Sequence, residues 1–199
     1  MVLARPTARQ LAMAVGGSVP DLIRPGLLVL FCGINPSLYS AAVGHHFARP
    51  GNRFWPALFL GGFTNRVLTP YQEDELLEAG CGIVNFVNRA TSSAAHLRTQ
   101  EIIEGGRELC AKVHRFRPRV VAILGVDAYR KAFHVPRARV GKQLTTIEGT
   151  TVWVVPNPSG INAHYQLPEL GRLFGNVRED ALATRIYSGP KQVKPRVQA

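Results

Sequence analysis

Residues 27–33 read LLVLFCG, an unbroken apolar run that ends in a glycine. An apolar run of this length, without alternation of polar residues, predicts a β-strand that is buried on both faces of a sheet. A second run of this kind, Val120–Leu124, is followed by Gly125. Strands of this type occur in parallel sheets that helices cover on both sides. The two runs therefore predict the centre of an α/β domain.

Shorter patterns on either side of these runs extend the alternation of strands and helices along the chain. Further strands are predicted at 83–87, 144–147 and 152–155. Helices are predicted at 52–60, 70–79, 99–116, 127–133 and 167–183, and Thr69-Pro70 is typical of a helix start. We therefore expect one α/β domain with a mostly parallel central sheet flanked by helices.

The same patterns suggest where this domain begins and ends. The alternation occupies residues 21–184, which we expect to form the domain. Residues 1–20 are rich in Ala and Arg and are predicted to be an N-terminal extension. Residues 185–199 are basic and lack hydrophobic periodicity, which predicts a disordered C-terminal tail.

The charge of the chain indicates a polyanionic partner. Its 199 residues include 24 Lys and Arg but only 13 Asp and Glu, which gives a formal net charge of +11. Such an excess is most often found in proteins that bind nucleic acid. One basic cluster, with Asp127 as its only acidic member, is expected to contribute to a surface that faces phosphates; it contains Arg115, Arg117, Arg119, Arg130, Lys131, Arg137, Arg139 and Lys142.

The cysteines and the apolar segments argue against a disulfide-rich, metal-binding or membrane-spanning protein. Cys32, Cys81 and Cys110 are odd in number and have no C-x-x-C spacing, which argues against a disulfide framework, a zinc knuckle or an iron–sulfur site. The apolar runs are too short to cross a membrane, and the N-terminus is a poor match to a signal peptide. We expect a cytoplasmic protein, associated with the nucleoid in a bacterium, that needs no metal or other cofactor.

Two polar turns follow predicted strands and form a candidate site. The first turn is Gly33-Ile34-Asn35-Pro36-Ser37, and the second turn is Pro156-Asn157-Pro158-Ser159-Gly160. Gly, Asn, Pro and Ser are the ordinary residues of turns, so each turn alone is compatible with a simple connection. Ligands of parallel sheets bind beyond the carboxyl ends of the strands, however. Together, on a basic chain, the two turns predict a site.

The motifs Gly33-Ile34-Asn35-Pro36 and Asn157-Pro158-Ser159-Gly160 resemble the two signatures of the mismatch-specific uracil/thymine–DNA glycosylases, a branch of the uracil–DNA glycosylase superfamily. The segment 47–55, FARPGNRFW, resembles the family's segment after its first motif, and shorter similarities occur in order at 61–64, 81–83, 89–91 and 122–125. The resemblance runs from about Asp21 to about Ala183. It implies the fold of this superfamily. The implied substrate is the uracil of G·U mismatches in double-stranded DNA, and we expect the protein to act as a monomer.

The resemblance also implies roles for individual residues. Family members flip the damaged nucleotide out of the duplex, and water then attacks C1′ of an oxocarbenium-like sugar. Asn35 corresponds to the catalytic residue that positions this water. The implied substrate-binding residues are Gly33 and Ile34, whose backbone faces the base, Ser40 in the pocket wall, Phe47 stacked on the base, and Asn85 at the pyrimidine edge or a phosphate.

The second motif and the two residues after it are implied to bind DNA. The set consists of Asn157, Pro158, Ser159, Gly160, Ile161 and Asn162. Ile161 corresponds to an apolar wedge that fills the gap left by the flipped base, and the backbone near Gly160 would pair with the widowed guanine. Ala163 stands where some relatives have arginine, so the resemblance implies no arginine contact there. Adjacent histidines seldom face one site, so His45 and His46 are expected to contact solvent or the DNA backbone.

Three alternative functions can be weighed against the sequence. One is a broad-specificity uracil–DNA glycosylase that also acts on single strands. Another is a non-catalytic α/β domain that binds nucleic acid, in which the two turns are only turns. A nucleotide-binding enzyme is disfavoured, because neither G-x-G-x-x-G nor G-x-x-x-x-G-K-[ST] occurs.

Overall fold

The computed structural model describes residues 5–160 and 165–184. Ile161, Asn162 and the predicted C-terminal tail lie outside the described residues. Five strands form one sheet within these ranges: β1 (Val29–Gly33), β2 (Cys81–Asn85), β3 (Val120–Leu124), β4 (Gly141–Ile147) and β5 (Thr150–Val155). Their order across the sheet is β2-β1-β3-β5-β4, and every pairing is parallel except β4 with β5. The prediction of a single α/β domain with a mostly parallel sheet is confirmed.

The central strands are apolar because helices cover both of their faces. Every residue of β1, β2 and β3 is buried. The edge strand β4 is different, because Leu144, Thr145 and Thr146 are exposed and its pairing with β5 shifts register between Lys142 and Thr146. Its polar first residues explain why the sequence predicts only residues 144–147 as strand. An edge strand with one open side does not need a continuous apolar pattern.

Helices lie on both faces of the sheet. Those described are α1 (Ala8–Met13), α2 (Leu38–Val43), α3 (Phe54–Leu60), α4 (Glu73–Glu78), α5 (Thr99–Phe116), α6 (Val126–Ala132) and α7 (Leu167–Ala183). On one face, Phe31 of β1 packs among aromatic rings, with Phe54 edge-on at 5.3 Å and Phe174 stacked at 5.4 Å. On the other face, buried side chains of α5 and α6 cover the strands. None of the described helices has the length and hydropathy that a membrane span requires.

Two segments near the chain start differ from the pattern in the sequence. The end of the predicted N-terminal extension packs on the domain, since Gly16 N donates to Ala90 O at 3.1 Å, Ala90 N donates to Gly17 O at 2.7 Å, and Val19 is buried. The helix α2 was not predicted. It has six residues and one buried side chain, Ser40, so it lacks an apolar stripe that periodicity could detect.

The parallel strands give the sheet two different edges. We call the edge where β1, β2, β3 and β5 end the carboxyl edge, and the opposite one the amino edge. Both turns, together with Asn85 at the end of β2, lie at the carboxyl edge. Arg117 and Arg119 immediately precede β3 and lie at the amino edge. The fold therefore separates the candidate site from part of the basic cluster.

Candidate active site

A cleft of about 250 Å³ opens at the carboxyl edge between the two turns. The structure brings eight of the predicted site residues to its wall: Gly33, Ile34, Asn35, Ser40, Phe47, Asn85, Asn157 and Ser159. Pro158 and Gly160 belong to the second turn but do not line the cleft. The implied DNA contacts of Ile161 and Asn162 lie outside the described residues.

The amide of Asn35 is held through its nitrogen. Nδ2 donates to Thr91 Oγ1 at 2.7 Å, to Arg89 O at 3.0 Å and to Pro36 O at 3.2 Å. Among the described residues, none donates a hydrogen bond to Asn35 Oδ1. The oxygen of this amide is therefore available as an acceptor to a molecule in the cleft.

The loop that accepts these bonds is itself anchored. The Thr91 hydroxyl donates to Ser93 O at 2.8 Å, and Thr91 N donates to Pro36 O at 3.3 Å. The guanidinium of Arg89 pairs with Glu101 near the start of α5, at 2.9 Å. The backbone N–H of Arg98 and then the Arg89 side chain hold the pKa of Glu101 below its ordinary value. The acceptors around Asn35 are thus fixed to both the first turn and α5.

Phe47 forms the aromatic part of the wall. Its ring stacks on Phe54, with centroids 4.1 Å apart and an angle of 26° between the planes. The backbone of Phe47 has φ of 51°, a left-handed conformation that side chains with a Cβ seldom adopt. Backbone strain of this kind concentrates at functional sites. The ring is half-buried, so Phe54 supports it while part of it stays open to the cleft.

Ser40 and α2 hold the segment that carries Phe47. Ser37 caps α2 by accepting from Ser40 N at 3.1 Å, and its hydroxyl donates to Ser40 Oγ at 3.1 Å. The buried Ser40 Oγ then accepts from Ala48 N at 3.1 Å. A serine that the resemblance places in the pocket wall therefore also connects the first turn to the residue after Phe47.

The expectation that His45 and His46 contact solvent or the DNA backbone is wrong for His46. This residue is buried, its Nε2 donates to Pro20 O at 2.9 Å, and its backbone N donates to Glu73 Oε2 at 3.0 Å. Burial lowers the pKa of His46, and the Glu73 carboxylate opposes that shift. His45 Nδ1 lies 2.9 Å from the other oxygen of Glu73. The histidine pair anchors the segment before Phe47 to α4, a contact between distant positions that a local pattern does not reveal.

Asn85 lies in the floor of the cleft with an unmatched donor. The residue is only 6% exposed, and its Nδ2 has no hydrogen-bond partner among the described residues. A Cβ atom on Gly33 would overlap Asn85 Oδ1 and press on the Phe47 ring. Glycine at position 33 therefore leaves the space that the Asn85 side chain occupies. A buried donor without a partner costs about 1–3 kcal/mol, so this amide suits a ligand with an acceptor.

The second turn is held by the main chain. Arg53 N donates to Pro158 O at 2.9 Å, and the Arg53 guanidinium donates to Ser159 O at 2.6 Å and to Tyr165 O at 2.5 Å. Asn157 Oδ1 accepts from Ser159 N at 3.0 Å. Arg53 thus joins the two sides of the 161–164 stretch. The sequence includes Arg53 only as one letter of the 47–55 segment and gives no sign of this contact.

The basic cluster is divided by the fold. Arg130 pairs with Asp127 at 3.1 Å, and Lys142 pairs with Asp180 at 2.8 Å. Arg137 and Arg139 precede Gly141, which pairs with Val154 near the carboxyl edge. A contact of these two residues with phosphate stays a prediction. Arg49, which the cluster does not include, is exposed and lines the cleft.

The buried thiols do not suit nucleophilic catalysis, and the described side chains form no metal-binding cluster. Burial raises the pKa of Cys32 far above its ordinary range and that of Cys81 to about 12, so neither thiol ionises near neutral pH. In the part of the chain that the structure describes, no three His, Cys, Asp or Glu residues are grouped in a way that could hold a metal.

Comparisons with known proteins identify the fold and the superfamily of the chain. A solution NMR structure of a candidate uracil DNA glycosylase from Methanosarcina acetivorans has the same fold, with a TM-score of 0.58 and 16% identity; the match covers 83% of this chain and 98% of that one. The sequence model of the uracil DNA glycosylase superfamily matches residues 20–181, which include both turns and every strand. The chain belongs to the uracil DNA glycosylase superfamily, whose members are hydrolases that act on DNA.

Proposed function

We propose that this protein removes uracil from G·U mismatches in duplex DNA, by flipping the nucleotide into the cleft and directing water to C1′. The observation that carries the proposal is the Asn35 amide. Three acceptors hold its nitrogen, and its oxygen accepts from no described residue at the wall of the cleft. The uracil DNA glycosylase superfamily supplies the reaction class, and the mismatch preference rests on the resemblance of the two turns.

The amide oxygen suits the task of orienting water. A water molecule that donates a hydrogen bond to Asn35 Oδ1 keeps a lone pair for attack on C1′. An amide is a very weak base, so it contributes little driving force by taking the proton. The reaction must then depend mainly on departure of the base and on electrostatic stabilisation of the charges that form.

Asn85 and the first turn supply groups that stabilise the departing base. As the glycosidic bond breaks, negative charge develops on the uracil oxygens. The buried Asn85 Nδ2 has a donor to offer, and Ile34 lines the cleft beside it. A donor placed in advance where charge develops is worth more inside a protein than in water. Phe47 would stack on the flipped ring, supported from behind by Phe54.

The second turn and the net charge supply the contact with DNA. Ile161 would enter the stack in place of the flipped nucleotide, which offsets an unstacking cost of a few kcal/mol. Asn162 and the backbone near Gly160 would face the opposite strand. Lys and Arg that neutralise phosphates release counterions, so affinity should fall as the salt concentration rises. Neither turn contains a lysine that could form a Schiff base with the sugar, so we propose a monofunctional reaction.

Release of free uracil from matched oligonucleotides tests the proposal. Single-turnover rates are measured with excess enzyme on U·G, U·A and T·G duplexes and on single-stranded U. We expect U·G to react fastest, and Asn35→Ala at the same concentration controls for glycosylases carried over from the expression host. Equal rates on U·G and U·A would remove the mismatch specificity, and an equal rate on single strands would favour the broad-specificity alternative. Binding without release from any substrate would favour the non-catalytic domain.

A further inference from the structure

The groups around the Asn35 side chain favour one orientation of its amide, with Nδ2 and Oδ1 in fixed places. An amide can turn over and exchange its N–H₂ donor and its oxygen acceptor with almost no change of shape. Two of the three groups that face Nδ2 are backbone carbonyls, of Arg89 and Pro36, which can only accept. The third is the Thr91 hydroxyl, the nearest of the three at 2.7 Å.

A hydroxyl can donate as well as accept, and the fold decides which of these Thr91 does. Its hydrogen is directed to Ser93 O at 2.8 Å, so Oγ1 presents only lone pairs to Asn35. All three neighbours of Nδ2 are therefore acceptors. If the amide turned over, Oδ1 would face three acceptors and lose every hydrogen bond it now makes through Nδ2. The N–H₂ group would then face the cleft and donate to the lone pair that the attacking water needs.

From these contacts we infer that Thr91 is a positioning residue for excision, which acts by holding the Asn35 amide with its oxygen toward the water. This inference rests on the proposed role of Asn35. Thr91 is the one side chain among the three acceptors, so it is also the one that substitution can remove. It is buried, and the bond from its backbone N to Pro36 O ties its loop to the first turn.

The main test replaces the hydroxyl by a methyl group of similar size. Thr91→Val should lower the single-turnover rate on a U·G duplex by about tenfold, the effect of losing one good hydrogen bond at the reacting centre. The loss is partial because Arg89 O and Pro36 O still accept from Nδ2. Binding of a duplex with 2′-fluoro-deoxyuridine, which resists cleavage, should change by less than about twofold, since Thr91 is proposed to act in the chemical step.

Two variants serve as matched controls. Thr91→Ser keeps the hydroxyl and should restore the rate to within about threefold of wild type, as expected for a hydrogen bond preserved at slightly altered packing. Thr150→Val makes the same substitution at the amino edge, where Thr150 Oγ1 donates to Pro118 O at 3.4 Å, and should leave the rate unchanged. If Thr91→Val fails to fold, Thr91→Ala replaces it, because it adds no bulk, and the same loss of rate is expected.

The Asn35→Ala background separates positioning from general support of the loop. If Thr91 acts through the amide, Thr91→Val added to Asn35→Ala should lower the residual rate by less than about twofold. The same loss in both backgrounds, or no rescue by Thr91→Ser, would overturn the inference. Full activity of Thr91→Val beside an inactive Asn35→Ala would also overturn it and would leave the proposed function intact. Full activity of Asn35→Ala would instead refute the proposed function.

Discussion

The first turn and the second turn have almost the same composition but differ in the side chain that anchors each of them to the rest of the protein. In the first turn, the Asn35 side chain reaches out and donates to the 89–93 loop. In the second turn, the backbone carbonyls of Pro158 and Ser159 accept from Arg53, which belongs to a different segment. Main-chain bonds such as Thr91 N to Pro36 O also fix the first turn, but its distinctive contact is made by its own side chain, Asn35. The distinctive contact of the second turn is made by a side chain from another segment, Arg53, to its main-chain carbonyls.

The difference matches the two tasks that we propose for the turns. Orienting water requires one polar atom at one place, and a side chain with a fixed amide provides it. Entering a base stack requires an apolar side chain held on a firm support, and a main-chain clamp at the base of the loop provides that. Substitutions in the first turn should therefore slow excision from every substrate. Substitutions in the second turn should matter most where the uracil is still stacked.

The largest effect is expected at Asn35. Asn35→Ala should reduce excision by about 10²–10³-fold, because water is no longer oriented in the transition state. The loss should be the same for a U·G duplex and for an oligonucleotide with an unpaired uracil. Single-turnover release of uracil measures both rates, and the affinity for mismatched duplex, measured alongside, should be largely unchanged. A loss confined to the duplex would break the comparison, because Asn35 would then act in flipping.

A smaller and more selective effect is expected at Ile161. Ile161→Ala should slow excision from the U·G duplex by about tenfold, since less apolar surface enters the stack at a step that costs a few kcal/mol to open. Ile161→Asp should be slower still, because it places a carboxylate among bases and phosphates. An unpaired uracil should be excised at nearly the wild-type rate by both variants. A parallel fall in melting temperature and in both rates would instead identify Ile161 as a core residue.

Arg53→Lys tests whether the contacts of Arg53 with the second turn matter mainly for duplex substrates. Lysine keeps the charge but lacks the planar fork that bonds Ser159 O and Tyr165 O together. We expect excision from the duplex to fall by about threefold to tenfold, within the range for losing one or two hydrogen bonds to a charged group. The salt dependence of duplex binding should keep its slope, because the number of positive charges is unchanged. An equal loss on unpaired uracil would show that Arg53 supports the whole cleft.

The smallest effect is expected for the dependence of stability on pH, through protonation of His46, the residue before Phe47. Burial lowers the pKa of this residue from 6.5, so between the two pKa values the unfolded chain binds a proton that the folded protein does not. Stability is therefore complete above the unfolded pKa and decreases as the pH falls through it. The melting temperature of wild type should fall more between about pH 7.5 and about pH 5.5 than that of His46→Gln, which no longer titrates. Parallel curves for the two proteins would contradict this.

The sequence predicts the parts of the molecule that depend on local pattern. β3 and α7 have the predicted bounds, because a fully apolar strand and a long amphipathic helix each have a clear periodicity. The strand predicted at 27–32 is found as β1, Val29–Gly33, and the helix predicted at 52–60 begins at Phe54, after the Asn52 side chain accepts from Phe54 N. The helix start differs because a cap, rather than periodicity, decides where a helix begins, and the strand start differs because β1 begins where its pairing with β2 and β3 begins, at Val29.

The site was predicted as a set of residues but not as a network. The two turns were assigned to one site because both follow strand ends and both resemble family motifs, whereas Phe47 was assigned by the resemblance alone. The contacts of Asn35 with Thr91 and of Arg53 with Ser159 join positions 56 and 106 residues apart, and no local pattern carries such a pairing. The buried place of His46 has the same cause, since Pro20 and Glu73 come from distant parts of the chain.

The sequence separation of 112 positions between Arg53 and Tyr165 also bears on how the protein acquires its activity. The cleft needs the ends of β1, β2 and β5, so it is incomplete until almost the whole chain has folded. Contacts of this sequence separation form late and slowly, because the entropy of closing a long loop must be overcome first. A ribosome-bound or truncated chain that ends before the second turn would lack a working cleft. Recovery of uracil release after dilution from denaturant should therefore follow, and never precede, the return of the native sheet.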